Sequence, residues 1–175
     1  ALNNISTYYC LIDEKDSTLM FQHQALNYAI ASGDSLQIAM SKHNLSLEFD
    51  SFDELDSALY YAKMALKELP QKENHGNCYF NLGDLLLKTG KNKDSALYYL
   101  TKALDDIPIE SKASCLKSLY NLEKENGDYK TANTYLEEHS AIIDSLFYME
   151  QSTEIQQLIY EYNTKMRVRE EQLKG

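Results

Sequence analysis

One amphipathic phrase returns four times along the chain, at residues 13–26, 53–66 and 94–104, with a fainter copy at 127–140. Within each copy, a small side chain on the apolar face is followed by larger residues at helical spacing. A fixed period of this length indicates stacked repeats, in which each unit buries its apolar face against its neighbours. The aligned small residues lie 36 to 40 positions apart and are Thr18, Ala58, Ala96 and Ala132.

A second apolar phrase precedes each copy, so each unit is expected to be two helices in a fixed order. This phrase occupies residues 5–9, 45–49, 82–86 and 119–122. Gly90 and Gly127 stand where a helix must end in a left-handed residue, and the Asp or Ser side chains that follow can cap the next helix. Turns are predicted at 12–13, 49–53, 89–92 and 126–128.

The third unit carries a family resemblance most clearly. Leu82, Gly83 and Gly90 match the first helix and turn of the tetratricopeptide repeat, and Ala96 begins the match to its second helix. The second unit shares the second-helix pattern and its closing Pro70. The resemblance implies an all-α fold, a right-handed α-solenoid of four TPR-like helical hairpins plus a long C-terminal helix. We expect a repeat domain over 1–149, with units at about 1–32, 33–72, 73–110 and 111–149, followed by a capping or coiled-coil helix over 150–175.

The C-terminal segment has no helix breaker and carries a heptad-like apolar stripe. One interpretation is a helix that caps the last repeat; the other is a helix that leaves the solenoid and pairs with a second copy, giving a homodimer. The candidate self-association residues are Ile155, Ile159, Tyr162, Met166 and Leu173.

The stretch from Tyr135 to Tyr162 is also similar to the end of bacterial membrane-anchored repeat regulators. In those proteins, extracytoplasmic repeats lead into a transmembrane segment and a cytoplasmic output domain. The resemblance implies a sensor domain on the periplasmic side, with a membrane anchor beyond the C-terminus. The alternative is a freestanding cytoplasmic adaptor for assembling protein complexes. An apolar run of about 20 residues encoded after Gly175 would favour the first, and a stop codon the second.

Composition and motifs argue against several classes of function for this chain. The net charge of −10 disfavours nucleic-acid binding, which needs a basic face to neutralise phosphates. The three Cys are far apart and are predicted to be small, buried and unpaired. His75 and Cys78 have ligand-like spacing, but two ligands do not close a zinc site. No catalytic motif appears. We therefore predict a non-enzymatic chain with no cofactor and no metal.

The partner is expected to be a protein or peptide segment lying along the concave surface. In tetratricopeptide stacks the first helix of each unit lines this groove, and a long groove suits an extended peptide. Lys117 and Asn121 resemble half of a clamp for a peptide's C-terminal carboxylate, but the other half is missing. Carried over by alignment, the groove candidates are Asn3, Thr7, His43, Leu47, Asp50, Asn77, Phe80, Asp84, Lys88, Lys117, Asn121 and Lys124.

Overall fold

A computed structural model describes residues 15–70 and 75–174, without the side chains of Met166 and 168–174. Over this part of the chain, every regular element is a helix. Neighbouring helices pack as successive hairpins, which is the all-α solenoid of tetratricopeptide-type units that the repeat predicts. The helices are α1 Lys15–Ser32, α2 Ser35–Ser51, α3 Leu55–Glu68, α4 Gly76–Thr89, α5 Lys93–Ala103, α6 Ile109–Asn126 and α7 Tyr129–Lys174.

The turns after α4 and α6 have the backbone geometry that the sequence predicts, whereas the turn predicted at 12–13 lies outside the described residues. Gly90 and Gly127 follow α4 and α6 with φ of +62° and +84°, in the left-handed region where a side chain would be strained. The next helices begin at polar caps. The Asn92 side chain accepts a hydrogen bond from the backbone N–H of Ser95 at 2.9 Å, and Asp128 accepts one from that of Thr131 at 3.1 Å. These caps fix where each hairpin turns back.

Small residues allow the two helices of a hairpin to approach closely. Ala58 and Ala96 have no exposed surface. Gly83 of α4 lies so near α5 that a Cβ built on it would be 2.7 Å from Cγ of Leu100. In the second unit Ser46 takes the aligned place, and its hydroxyl donates a 2.9 Å hydrogen bond to the carbonyl of Ala58. The small residues of the repeat are therefore required by helix contact.

The core is continuous along the stack. One buried cluster joins α1 to α5 through Leu26, Leu45, Leu59, Leu82 and Ala96, among others. A second cluster joins α5 and α6, and Tyr135 of α7 packs against it. Each unit therefore buries its apolar face on the next one, as a repeat stack requires.

The C-terminal helix begins well before residue 150. The second helix of the fourth unit and the C-terminal segment are one helix, α7, of 46 residues. Its sequence contains no Gly or Pro, so nothing interrupts the backbone hydrogen bonds at that boundary. Only its first part packs on α6. Side chains from Phe147 to Asn163 are all exposed.

Candidate functional site

A cavity of about 360 Å³ opens on the side of the stack formed by the first helices of neighbouring units. It lies between α2 and α4, with the first turn of α6 closing one end. Its lining mixes carboxylates, amides and two apolar side chains. The lining residues are His43, Leu47, Asp50, Asn77, Phe80, Asn81, Asp84 and Ser111.

Six of these eight residues are groove candidates from the sequence. His43, Leu47 and Asp50 are three or four positions apart on α2, so they share one face of that helix. Asn77, Phe80 and Asp84 have the same spacing on α4 and face them across the cavity. The repeat pattern therefore brings together residues that are more than 25 positions apart.

An ion pair crosses the rim of the cavity. Nζ of Lys88 lies 2.7 and 2.9 Å from the two carboxylate oxygens of Asp50 and 3.1 Å from Oδ2 of Asp84. Burial alone would lower the pKa of Lys88. Its hydrogen bonds and charge interactions with Asp50 and Asp84 outweigh that effect and raise the pKa above its usual value. Lys88, another groove candidate, therefore stays charged and holds the two carboxylates together.

A buried polar chain lies under the cavity floor. Nδ2 of Asn81 donates a 2.8 Å hydrogen bond to Oγ of Ser46, which in turn donates to the carbonyl of Ala58. Beside it, Nδ1 of His43 is buried and has no hydrogen-bond partner in the described chain. Burial lowers the pKa of His43, so its imidazole is neutral near pH 7.

The remaining groove candidates fall into two groups. Asn3 and Thr7 fall outside the described residues. Lys117, Asn121 and Lys124 are exposed on α6 but do not line the cavity. The Nζ of Lys124 instead lies 5.6 Å from the ring centroid of Tyr120. The cavity ends at the first turn of α6. The three candidates on α6 therefore do not reach it.

Two lining residues were not among the candidates. Asn81 is four positions after Asn77 and three before Asp84, and this helical spacing was the signal that could have identified it. Ser111 reaches the cavity because α6 begins at Ile109, soon after α5 ends. Nothing in the repeat alignment indicates that position.

A larger, open depression of about 590 Å³ lies at the edge of the stack, where turns meet. It is lined by residues 53–57 and by Lys88, Thr89 and Lys91. An ion pair between Lys91 and Asp56 crosses it. Lys88 therefore stands between this acidic depression and the groove cavity.

The two described cysteine thiols are poorly placed to act as nucleophiles. Cys78 and Cys115 are buried, as expected, and are free thiols. Burial raises the pKa of Cys78 to about 11; burial first, and then the charge of Asp84, raise that of Cys115 to about 12. The ring of His75 lies 2.9 Å from the carbonyl of Pro70.

In the part of the chain that the structure describes, no group of three or more His, Cys, Asp or Glu side chains could hold a metal ion. No helix in this part of the chain is both long and apolar enough to cross a membrane.

The self-association candidates lie on the outer part of α7. Ile155, Ile159 and Tyr162 expose 56%, 55% and 64% of their surface, and Leu158 beside them exposes 64%. The side chains of Met166 and Leu173 lie outside the described set. Ile155, Ile159 and Tyr162 share one face of α7, and no other part of the described chain packs on that face.

Comparison with known proteins identifies the fold. No protein-family model and no curated protein matches the sequence. Solved structures do match it. The structure of BtubC (BKLC) from P. vanneervenii superposes with a TM-score of 0.69 at 19% identity, over 83% of this chain and 63% of that one. The chain thus spans less than two thirds of BtubC.

Two other solved structures agree. The structure of MamA gives a TM-score of 0.65 at 15% identity and covers 84% of this chain and 79% of that one. TPR-like repeats of a kinesin light chain from P. anserina give 0.68 at 14%, over 82% and 74% of the two chains. These likenesses show that the chain has a tetratricopeptide-type solenoid fold.

Proposed function

We propose that this chain is a non-catalytic scaffold that binds an extended protein or peptide segment in the cavity between α2 and α4. The observation that carries the proposal is that six residues chosen for the groove line one cavity. Leu47 exposes 45% of its surface there, which offers an apolar contact to a ligand. The Asn77 amide, also exposed, can donate to and accept from a peptide backbone.

The proposal is tested by selecting peptides from a random twelve-residue displayed library against the whole chain. The Kd of the best binders is then measured for Leu47→Ala and Asn77→Ala. We expect each substitution to weaken binding about tenfold, because truncating a central contact costs more than about 1 kcal/mol. Tyr98→Ala is the matched control, since Tyr98 exposes 56% of its surface on α5 and does not line the cavity. Equal losses in all three variants, or no selected peptide, would contradict the proposal.

The second part of the proposal concerns α7. We infer that its outer part pairs with a second copy of the chain, so that occupancy of the groove can be relayed along a continuous helix. The support is the uncovered apolar face of Ile155, Ile159 and Tyr162, because a lone helix gains no tertiary packing and is only marginally stable in water. A chain of this kind suits the sensor domain of a membrane-anchored regulator on the periplasmic side. A freestanding cytoplasmic adaptor is the second candidate.

A further inference from the structure

The orientation of the Asn81 amide in the cavity wall is fixed by its neighbours. The hydroxyl of Ser46 has one hydrogen, and it is donated to the carbonyl of Ala58 at 2.9 Å. Ser46 Oγ can therefore only accept from Asn81, so the amide nitrogen must face it. Asn81 is 6% exposed and lines the cavity, and its Oδ1 is the end of the amide that Ser46 does not hold. This oxygen can only accept hydrogen bonds, so the amide adds an acceptor to the cavity wall.

The charged groups of the cavity wall are also acceptors. Asp50 and Asp84 both line it, and within the described part of the chain the cation paired with them is Lys88, which approaches from the rim. Two carboxylates with one ammonium leave an excess negative charge. His43 does not offset it, because burial keeps the imidazole neutral. A ligand that fills this space must therefore bring hydrogen-bond donors and positive charge.

We propose that the cavity binds a lysine or arginine side chain of the partner peptide, and that Lys88 is an internal competitor which this side chain displaces. The proposal rests on the proposed groove function and names its specificity. The chain's net charge of −10 would attract such a peptide over longer distances. An arginine fork could also bond two carboxylate oxygens at once.

Displacement of Lys88 is a small step in this structure. Its side chain is 44% exposed, and ion pairs with that much solvent contact are weak. The open depression on its other side is lined by Asp53, Glu54 and Asp56, of which Glu54 pairs with Lys15 and Asp56 with Lys91. A displaced ammonium group therefore stays hydrated on the side of Asp53.

The experiment uses a Lys- or Arg-containing peptide from the library selection and its analogue with Met at that position. Kd is measured by fluorescence anisotropy for the wild-type chain, for Lys88→Met and for the double variant Asp50→Asn/Asp84→Asn. We expect Lys88→Met to lower the Kd of the basic peptide about three- to fivefold. Removing an exposed ion pair that competes with the peptide should change its affinity by up to about that factor. The double variant should raise the Kd of the basic peptide at least about tenfold. Neither change should alter the Kd of the Met analogue.

Lys93→Met is the matched control, because Lys93 forms a comparable exposed ion pair with Glu125 at 2.7 Å and does not line the cavity. It should leave both Kd values unchanged, and thermal unfolding should confirm that every variant is folded. Selected peptides that depend on Leu47 but lack basic residues, or basic peptides indifferent to both cavity variants, would overturn this inference and leave the groove function standing. Absence of any Leu47-dependent peptide would instead contradict the groove function itself.

Discussion

Gly83 and Leu100 are in close contact, so the effect of a substitution at one on the free energy of unfolding should depend on the residue at the other. Both residues are buried, on α4 and α5 of the third hairpin. A Cβ on Gly83 would lie 2.7 Å from Cγ and 2.9 Å from Cδ2 of Leu100, far inside normal contact. The perturbation is Gly83→Ala, made in the wild-type chain and in Leu100→Ala, which deletes both of those atoms.

The magnitudes follow from known classes of substitution. Leu100→Ala empties fully buried space and should cost about 3–4 kcal/mol. Gly83→Ala alone combines an overpacking cost of about 1–3 kcal/mol with a helix-propensity gain of about 1 kcal/mol, so its net effect is neutral to destabilising. In the Leu100→Ala background both side-chain clashes are removed, the tight 3.2 Å contact with the backbone nitrogen of residue 100 remains, and the new methyl fills part of the space. The double variant should therefore be about 1 kcal/mol more stable than Leu100→Ala.

The assay is urea unfolding followed by far-UV circular dichroism, comparing midpoints at matched m-values. Gly76→Ala is the control, because a Cβ there would meet the backbone carbonyl of Asp106, and a backbone cannot be deleted by substitution. It should destabilise both backgrounds equally. If the effects of Gly83→Ala and Leu100→Ala simply add, within about 0.5 kcal/mol, the close-packing account of the repeat glycine is wrong.

Two further predictions concern α7 and the groove. The double variant Ile159→Lys/Tyr162→Lys should abolish self-association, seen as a halved mass by light scattering with unchanged helicity; an unchanged mass would contradict pairing through α7. His43 has a lowered pKa, so the stability that its neutral form confers is present above about pH 6.5 and is lost as the pH falls below that value. The urea midpoint should therefore drop more between pH 7.5 and 5.5 for the wild type than for His43→Gln, and equal drops would refute this assignment.

Much of the fold could be predicted because its determinants are local and periodic. Gly90 and Gly127 mark helix ends through their own backbone freedom, which a sequence displays directly. The aligned small residues at 58 and 96 follow from the need of paired helices to approach closely. The pattern changes near residue 149, but α7 continues through that point because no Gly or Pro interrupts it.

The groove was predictable only in part, for a related reason. Positions such as His43 and Asp84 follow from helical spacing within a repeat, and they do line one cavity. The contribution of Ser111 depends on where α6 begins relative to the hairpin before it. The bridge from Lys88 to Asp50 joins neighbouring units and depends on how they stack. Such contacts between units are set by packing, and periodicity carries no information about them.

The same distinction indicates where specificity resides in this scaffold. Ser46 and Gly83 occupy aligned places in neighbouring units. Gly83 only permits close packing, whereas Ser46 also fixes the orientation of the Asn81 amide through a hydrogen bond. One hydroxyl hydrogen thereby decides which atom of the Asn81 amide Ser46 holds. Ser46→Ala would keep the helix contact but leave the buried amide nitrogen of Asn81 without its partner, so it should lower stability by about 1–3 kcal/mol. It should also raise the Kd of the basic peptide, measured by fluorescence anisotropy where the variant is fully folded; an unchanged Kd would confine the role of Ser46 to the fold.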